Sequence, residues 1–228
     1  MTRRSAMFWT GVPMLLILAG ALIALRGPSA ARVALAADGT SAARGAAGGA
    51  GTTSNSSVAV LAGGCYWGVE SVFRHVRGIE SVTSGYALPV TAEGSRFAGP
   101  AEAVRIEYDT SRISYRQLLD IFFSVVHDPT QLNRQGPDVG PSYRSIVFAS
   151  SGQQRGMARS YIDSLSAARV FPRPIVTEIS ALRSFQPADA SQQDYAARHP
   201  HSPYIVINDV PKVKALKKRF PALYRDIE

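Results

Sequence analysis

The hydrophobic pattern changes period several times after residue 57. Val58-Ala59-Val60-Leu61-Ala62 is an unbroken apolar run stopped by Gly63-Gly64, the pattern of a short buried strand. Val69, Val72, Phe73 and Val76 then recur at i, i+3, i+4 and i+7, which is one stripe of a helix, and Gly78 closes it. Residues 82–86 and 101–108 return to strand patterning, the second with Val104, Ile106 and Tyr108 alternating. Ser114 and Gln117 fit a capping box, opening a helix with Tyr115, Leu118, Leu119, Phe122 and Val126 on one face; Asp128-Pro129 ends it. A polar loop over 130–142, a strand over 144–149, a helix over 152–168 and a strand over 175–179 follow. The alternation is irregular and the connections are too short for many parallel crossovers. This predicts an α+β fold, a ferredoxin-like α/β sandwich with helices packed on a mixed, largely antiparallel sheet.

The first 57 residues read differently. Arg3-Arg4, an uncharged stretch over 5–25 and Ala34-Leu35-Ala36 make a signal peptide over 1–36, or a membrane anchor if it is not cleaved. Residues 37–57 are rich in Gly, Ala, Ser and Thr and predict a flexible linker. The working domain, 58–228, is therefore expected outside the cytoplasmic membrane, periplasmic or secreted. Charge adds little. Of the net +8, half comes from the four arginines of the leader. The run Lys212, Lys214, Lys217, Lys218 and Arg219 lacks interleaved aromatics, so it predicts a solvated helix face rather than a nucleic-acid surface.

The chain has one cysteine, which excludes an internal disulfide, a CxxC pair and a multi-cysteine zinc site. Cys65 follows a strand and two glycines and opens a helix, where free N–H groups and the positive end of the helix dipole favour the thiolate. Tyr66 and Trp67 set aromatic faces beside it, suited to a small apolar group. Glu102 begins an otherwise apolar strand, where burial would raise its pKa and make it a general acid near neutral pH. The loop Asn133 to Tyr143 places Asp138 and Tyr143 at the rim of a strand. His127 and His199 are the candidate bases of a rival Cys-His hydrolase, but nothing in the sequence pairs either with Cys65.

Across about 58–228 the chain resembles the A-type peptide methionine-S-sulfoxide reductases. The nucleophile motif GCFWG stands as Gly64-Cys65-Tyr66-Trp67-Gly68, and GHAEAV as Gly99-Pro100-Ala101-Glu102-Ala103-Val104. The HDPTQLNRQGPDVG stretch begins at His127, and the QDY segment begins at Gln193. The tail looks like that of the branch without resolving cysteines. The resemblance implies that Cys65 attacks the sulfoxide sulfur of free or protein-bound methionine sulfoxide. Glu102 protonates the oxygen, helped by Tyr143 and oriented by Asp138, while Tyr66 and Trp67 hold the methyl group. Cys65 is left as a sulfenic acid, to be reduced by a thioredoxin-like protein, a glutaredoxin-like protein or a small thiol. No metal or organic cofactor is implied, and a monomer is expected.

Three departures stand out. Pro100 and Gln192 replace histidines, and the loop before Glu102 is short, so that a second active-site tyrosine, counted back from Glu102, falls on Val90. Loss of one phenolic donor predicts a rate lower by about 10- to 100-fold. An exported module that keeps the fold without the activity is the alternative these departures motivate.

Overall fold

The computed structural model describes residues 55–90, 97 and 99–227. The expected leader, and the expected linker up to residue 54, lie outside the described residues. Strand β1 (Ser56–Gly63) begins inside the segment read as linker, because its backbone pairs with β3 whatever its side chains are: Ser56 lies opposite Asp109. Helix α1 (Tyr66–Arg74) follows, then β2 (Ile79–Pro89), β3 (Ala101–Asp109) and α2 (Tyr115–Ile121). A π-helical turn, Phe122–Val126, extends α2. Two-residue strands β4 (Arg134–Gln135) and β5 (Asp138–Val139) form a hairpin in the polar loop, ahead of β6 (Ser145–Phe148) and α3 (Gly152–Ala167). The chain ends through β7 (Glu178–Ser180), β8 (Leu182–Pro187), α4 (Tyr195–Arg198) and α5 (Val210–Arg219).

The strand order is β7-β6-β1-β3-β2-β8. Its centre, β6-β1-β3-β2, is antiparallel throughout and arises from two interleaved βαβ units, the ferredoxin-like arrangement predicted. β7 adds parallel to β6, which makes the sheet mixed, and β8 adds antiparallel to β2. The strand expected over 175–179 is shorter and later than its apolar pattern suggested. β8 was not predicted: Leu182-Arg183-Ser184-Phe185-Gln186-Pro187 is mostly polar or exposed, as an edge strand with one free side can be.

The uninterrupted apolar run of β1 is explained by burial on both faces. Ala59 and Leu61 join Val104, Ile106, Phe73 and Phe122 under the helices, while Val60 and Ala62 pack with Ala87, Ala103, Ile146 and Phe148 on the other side. The capping box forms as read: the Ser114 side chain accepts from the Gln117 N–H, and the Gln117 side chain accepts from the Ser114 N–H. In α5 Leu216 is buried, and Lys214, Lys217, Lys218 and Arg219 form the solvated face expected, while Lys212, only 20% exposed, turns in to pair with the buried Asp209 at 3.1 Å. Among the described residues no helix is long and apolar enough to cross a membrane.

Candidate active site

The two glycines at the end of β1 are demanded by crowding. A Cβ on Gly63 would come within 2.8 Å of the Phe122 ring. Gly64, at φ +95°, would place one 2.6 Å from the Gln135 side chain. Gln135 is itself fixed, its amide accepting from the Asp128 N–H at 3.2 Å and donating to the Asp128 carbonyl at 3.1 Å. The tight turn that results delivers Cys65 to the N-cap of α1, where it is only 7% exposed.

Glu102 meets the same helix end. Its Oε2 accepts the Tyr66 N–H at 3.1 Å, so carboxylate and thiol share one N-terminus. This changes the electrostatics expected from sequence. Burial, and then the neighbouring Glu102 carboxylate, push the Cys65 thiol up to about 12, although the Trp67 N–H and the Tyr204 hydroxyl pull the other way. The expected lowering by the helix end is therefore overturned. A second anion occupies that end, and a thiolate this buried loses its water. Burial likewise raises Glu102 to about 7, with the Asp138 charge adding to it, as the sequence reading expected for a general acid.

Phenols surround this pair. Tyr143 follows the hairpin, and its hydroxyl is shifted upward by burial and then by Glu102. Asp138 does not bind Tyr143; its Oδ2 accepts the Tyr204 hydroxyl at 2.5 Å, tying the hairpin to the C-terminal segment. Val90 lies at the end of β2, exposed, with its N–H bonded to the Ala181 carbonyl. Another phenol lies on the neighbouring strand: Tyr86, directly opposite Glu102 in the β2–β3 register. Its hydroxyl is 3.4 Å from that of Tyr66.

Tyr66 is buried, and Trp67 is half-buried and held on three sides. Its ring stacks on Tyr195 at 3.8 Å and meets Tyr204 edge-on at 5.7 Å, and its Nε1 donates to the Gln192 Oε1 at 3.2 Å. The segment carrying these partners is docked by Gln193, whose amide bonds the Ser84 N–H and carbonyl, and by the Glu70 carboxylate, which accepts the Asp194 N–H. Tyr86, Tyr195 and Tyr204 thus join the site without having been singled out, and Gln192, marked in the sequence only as a histidine replaced, joins it as a partner of Trp67. Tyr195 lies in the QDY segment, which Gln192 directly precedes.

Arg144 is 2% exposed and knits the acid's loop to the tyrosine's. Its guanidinium donates to the carbonyls of Gly99 at 2.7 Å, Pro141 at 2.7 Å and Pro100 at 3.3 Å. Such charge-assisted bonds contribute about 1.5–3 kcal/mol each. His127 is structural. Its Nδ1 bonds the Phe122 carbonyl at 3.0 Å and its Nε2 the Ser145 hydroxyl at 2.7 Å, and burial lowers the ring to about 4. His199 packs against Tyr195, the two rings tilted by 37° with centroids 4.2 Å apart. Neither ring is hydrogen-bonded to Cys65 among the described residues.

What the site brings together is one thiol and one carboxyl on a shared helix N-terminus, with phenols around them. The peptide methionine sulfoxide reductase family matches residues 57–223, and the chain belongs to that family. It is 48% identical to peptide methionine sulfoxide reductase MsrA 2 of Mesorhizobium japonicum over 177 residues, 75% of this chain and 91% of that one. It is 43% identical to the MsrA 2 of Synechocystis sp., over 71% of this chain and 78% of the other. Among solved structures it resembles reduced Mxr1 of Saccharomyces cerevisiae, with a TM-score of 0.57 and 28% identity over 64% of this chain and 87% of that one. The protein is an oxidoreductase acting on peptide methionine sulfoxide.

Proposed function

We propose that this protein reduces the S epimer of methionine sulfoxide through Cys65, with Glu102 as general acid. The observation that carries the reading is the carboxyl of Glu102 on the N–H that follows Cys65. The thiol rests protonated, and so does much of Glu102 near neutral pH. Sulfur attack and proton delivery are then coupled: Sγ bonds to the sulfoxide sulfur while Glu102 protonates the oxygen, with the Tyr143 and Tyr86 hydroxyls donating to the developing charge. The oxygen transfers to Sγ, methionine leaves, and the thiol's proton replaces that of Glu102. One thiol and one sulfoxide become one sulfenic acid and one thioether. Trp67, braced by Tyr195 and Gln192, and Tyr66 beside it supply the apolar wall for the S-methyl group.

A second thiol must come from outside, because the chain has no other cysteine. It attacks the sulfenic acid with loss of water, and a further thiol releases Cys65. The reductant is a thioredoxin-like or glutaredoxin-like protein or a small thiol, and no metal or organic cofactor takes part. We also place the protein outside the cytoplasmic membrane, on the strength of Arg3-Arg4, the apolar stretch and Ala34-Leu35-Ala36. N-terminal sequencing of the exported protein is expected to begin at Ala37; a chain beginning at residue 1 or 2 would make the leader an anchor.

The direct test of the activity resolves the two sulfoxide epimers of a methionine sulfoxide peptide incubated with dithiothreitol. Only the S epimer is expected to disappear. Consumption of the R epimer would overturn the stereochemical reading, and consumption of neither would leave a binding module.

A further inference from the structure

Trp67, Glu70 and Arg74 fall at i, i+3 and i+7 of α1, a stripe separate from the buried one of Val69, Val72, Phe73 and Val76. All three meet the segment that follows β8. Trp67 stacks on Tyr195 with the two rings 9° from parallel. Glu70, 2% exposed, accepts the Asp194 N–H on both oxygens, at 3.1 and 3.2 Å. Arg74 pairs with the Asp194 carboxylate. Asp194 sits at φ +54°, a left-handed conformation that a residue with a side chain keeps only where its surroundings impose it. Packing does not impose it. A cavity of about 480 Å³ opens between α1, this segment and α5, and Glu70, Arg74, Asp194, Ala196 and Ala197 all line it. Gln193 is anchored to Ser84 of β2 and to Ala188, which leaves the bonds from α1 to hold Asp194 and, directly after it, Tyr195.

We propose that Glu70 is a positioning residue that sets selectivity for the S-methyl group: through Asp194 and Tyr195 it holds the Trp67 ring as a rigid wall, against which a longer S-alkyl group does not fit. The inference rests on the reading of Trp67 as the methyl wall given above. A pocket closed on a methyl group excludes one further methylene by about 10- to 200-fold, provided its walls keep their place. Without the Glu70 oxygens, Asp194 relaxes to a right-handed or extended conformation and Tyr195 turns with it. The Trp67 ring is then held only by Gln192 at its Nε1 and by the edge contact with Tyr204, and it gains room to yield. Burial raises the Glu70 carboxyl to about 7, and in either protonation state one oxygen is left to accept the Asp194 N–H. Selectivity therefore depends on an acceptor oxygen at that place and not on its charge, and glutamine supplies one.

The experiment compares N-acetyl methionine-S-sulfoxide methylamide with its S-ethyl homologue, with dithiothreitol as reductant. The parent should favour the methyl substrate in kcat/KM by about tenfold or more. Glu70→Leu, which keeps the bulk and removes the acceptor, should cut that preference to about threefold or less, while Glu70→Gln keeps it. Tyr195→Ala should cut it as far, and adding Glu70→Leu in that background should change nothing more, because the two residues act in series. In the full chain carrying Trp9→Phe, Trp67 is the sole tryptophan, and its quenching by acrylamide should rise in Glu70→Leu but not in Glu70→Gln. A preference unmoved by Glu70→Leu, equal losses in Glu70→Gln and Glu70→Leu, or additive losses in the double variant would overturn the role of Glu70. Should Glu70→Leu not fold, the other two variants carry the test: an unchanged preference in Tyr195→Ala, or a fallen one in Glu70→Gln, overturns it. A parent that turns over both substrates equally would overturn the Trp67 wall itself. Turnover of neither would instead overturn the reading of Cys65 and Glu102.

Discussion

Glu102→Gln is expected to lower turnover of methionine sulfoxide by about 10²–10⁴-fold, the range for loss of a positioned general acid, while the protein becomes no less stable. Both halves follow from the same burial. The carboxyl sits near 7 in the folded chain against 4.5 as its ordinary value. Between those two pH values the folded state holds more protons than the unfolded one, so this group makes stability fall as pH rises from 4.5 toward 7. Above 7 the full penalty persists, of about 1–3 kcal/mol. Glutamine keeps an oxygen for the Tyr66 N–H and escapes the penalty. The variant should therefore match the parent in stability below pH 4.5 and exceed it above pH 7. Activity of the parent should decline as pH climbs through 7, and the variant should lose that limb. Urea unfolding at pH 4 and 8 beside a pH–rate profile reads both effects. A parallel fall of activity and stability would make Glu102 a structural residue.

Without any thiol present, the enzyme should release one methionine per chain and stop. The sole sulfur that can take the oxygen is Cys65, and the chain offers no partner with which its sulfenic acid could condense. Dimedone added after that single turnover should label Cys65, located by peptide mass mapping, and dithiothreitol added in its place should restart turnover. Two or more methionines per chain in rigorously thiol-free buffer, or confirmed turnover with no label, would refute the sulfenate. The site is protective as well as reactive. With Cys65 only 7% exposed, further oxidation requires an oxidant small enough to enter the pocket.

Much of this site could be read from local sequence because its parts are local. Gly63-Gly64-Cys65 is a strand end, a tight turn and a helix start, and crowding by Phe122 and Gln135 explains why neither glycine carries a side chain. Glu102 stood out because a carboxylate opened an apolar strand, and a carboxylate there is indeed buried against a backbone N–H. The count back to Val90 measured position along the chain. Pairing across β2 and β3 is set by register, and register brings Tyr86 opposite Glu102 however long the connection between the strands is. The QDY segment could be found by pattern, but where Tyr195 and Tyr204 dock could not. The contacts that draw them in span about half the chain, such as the Trp67–Gln192 bond with its sequence separation of 125.

The thiol shows the same division. A helix start favours a thiolate, and that much is written in a few consecutive residues. Whether the thiolate forms depends on how much water reaches the sulfur and which charges surround it, and those are properties of packing. Period and spacing alone marked most strands and helices from β1 to α3 and singled out Cys65 and Glu102, because each expresses contacts within a few residues. Tertiary structure alone decided which phenols gather around Glu102, how Trp67 is braced, and that burial raises the Cys65 thiol. Those depend on burial and on groups far apart in the chain, and no stretch of sequence contains either.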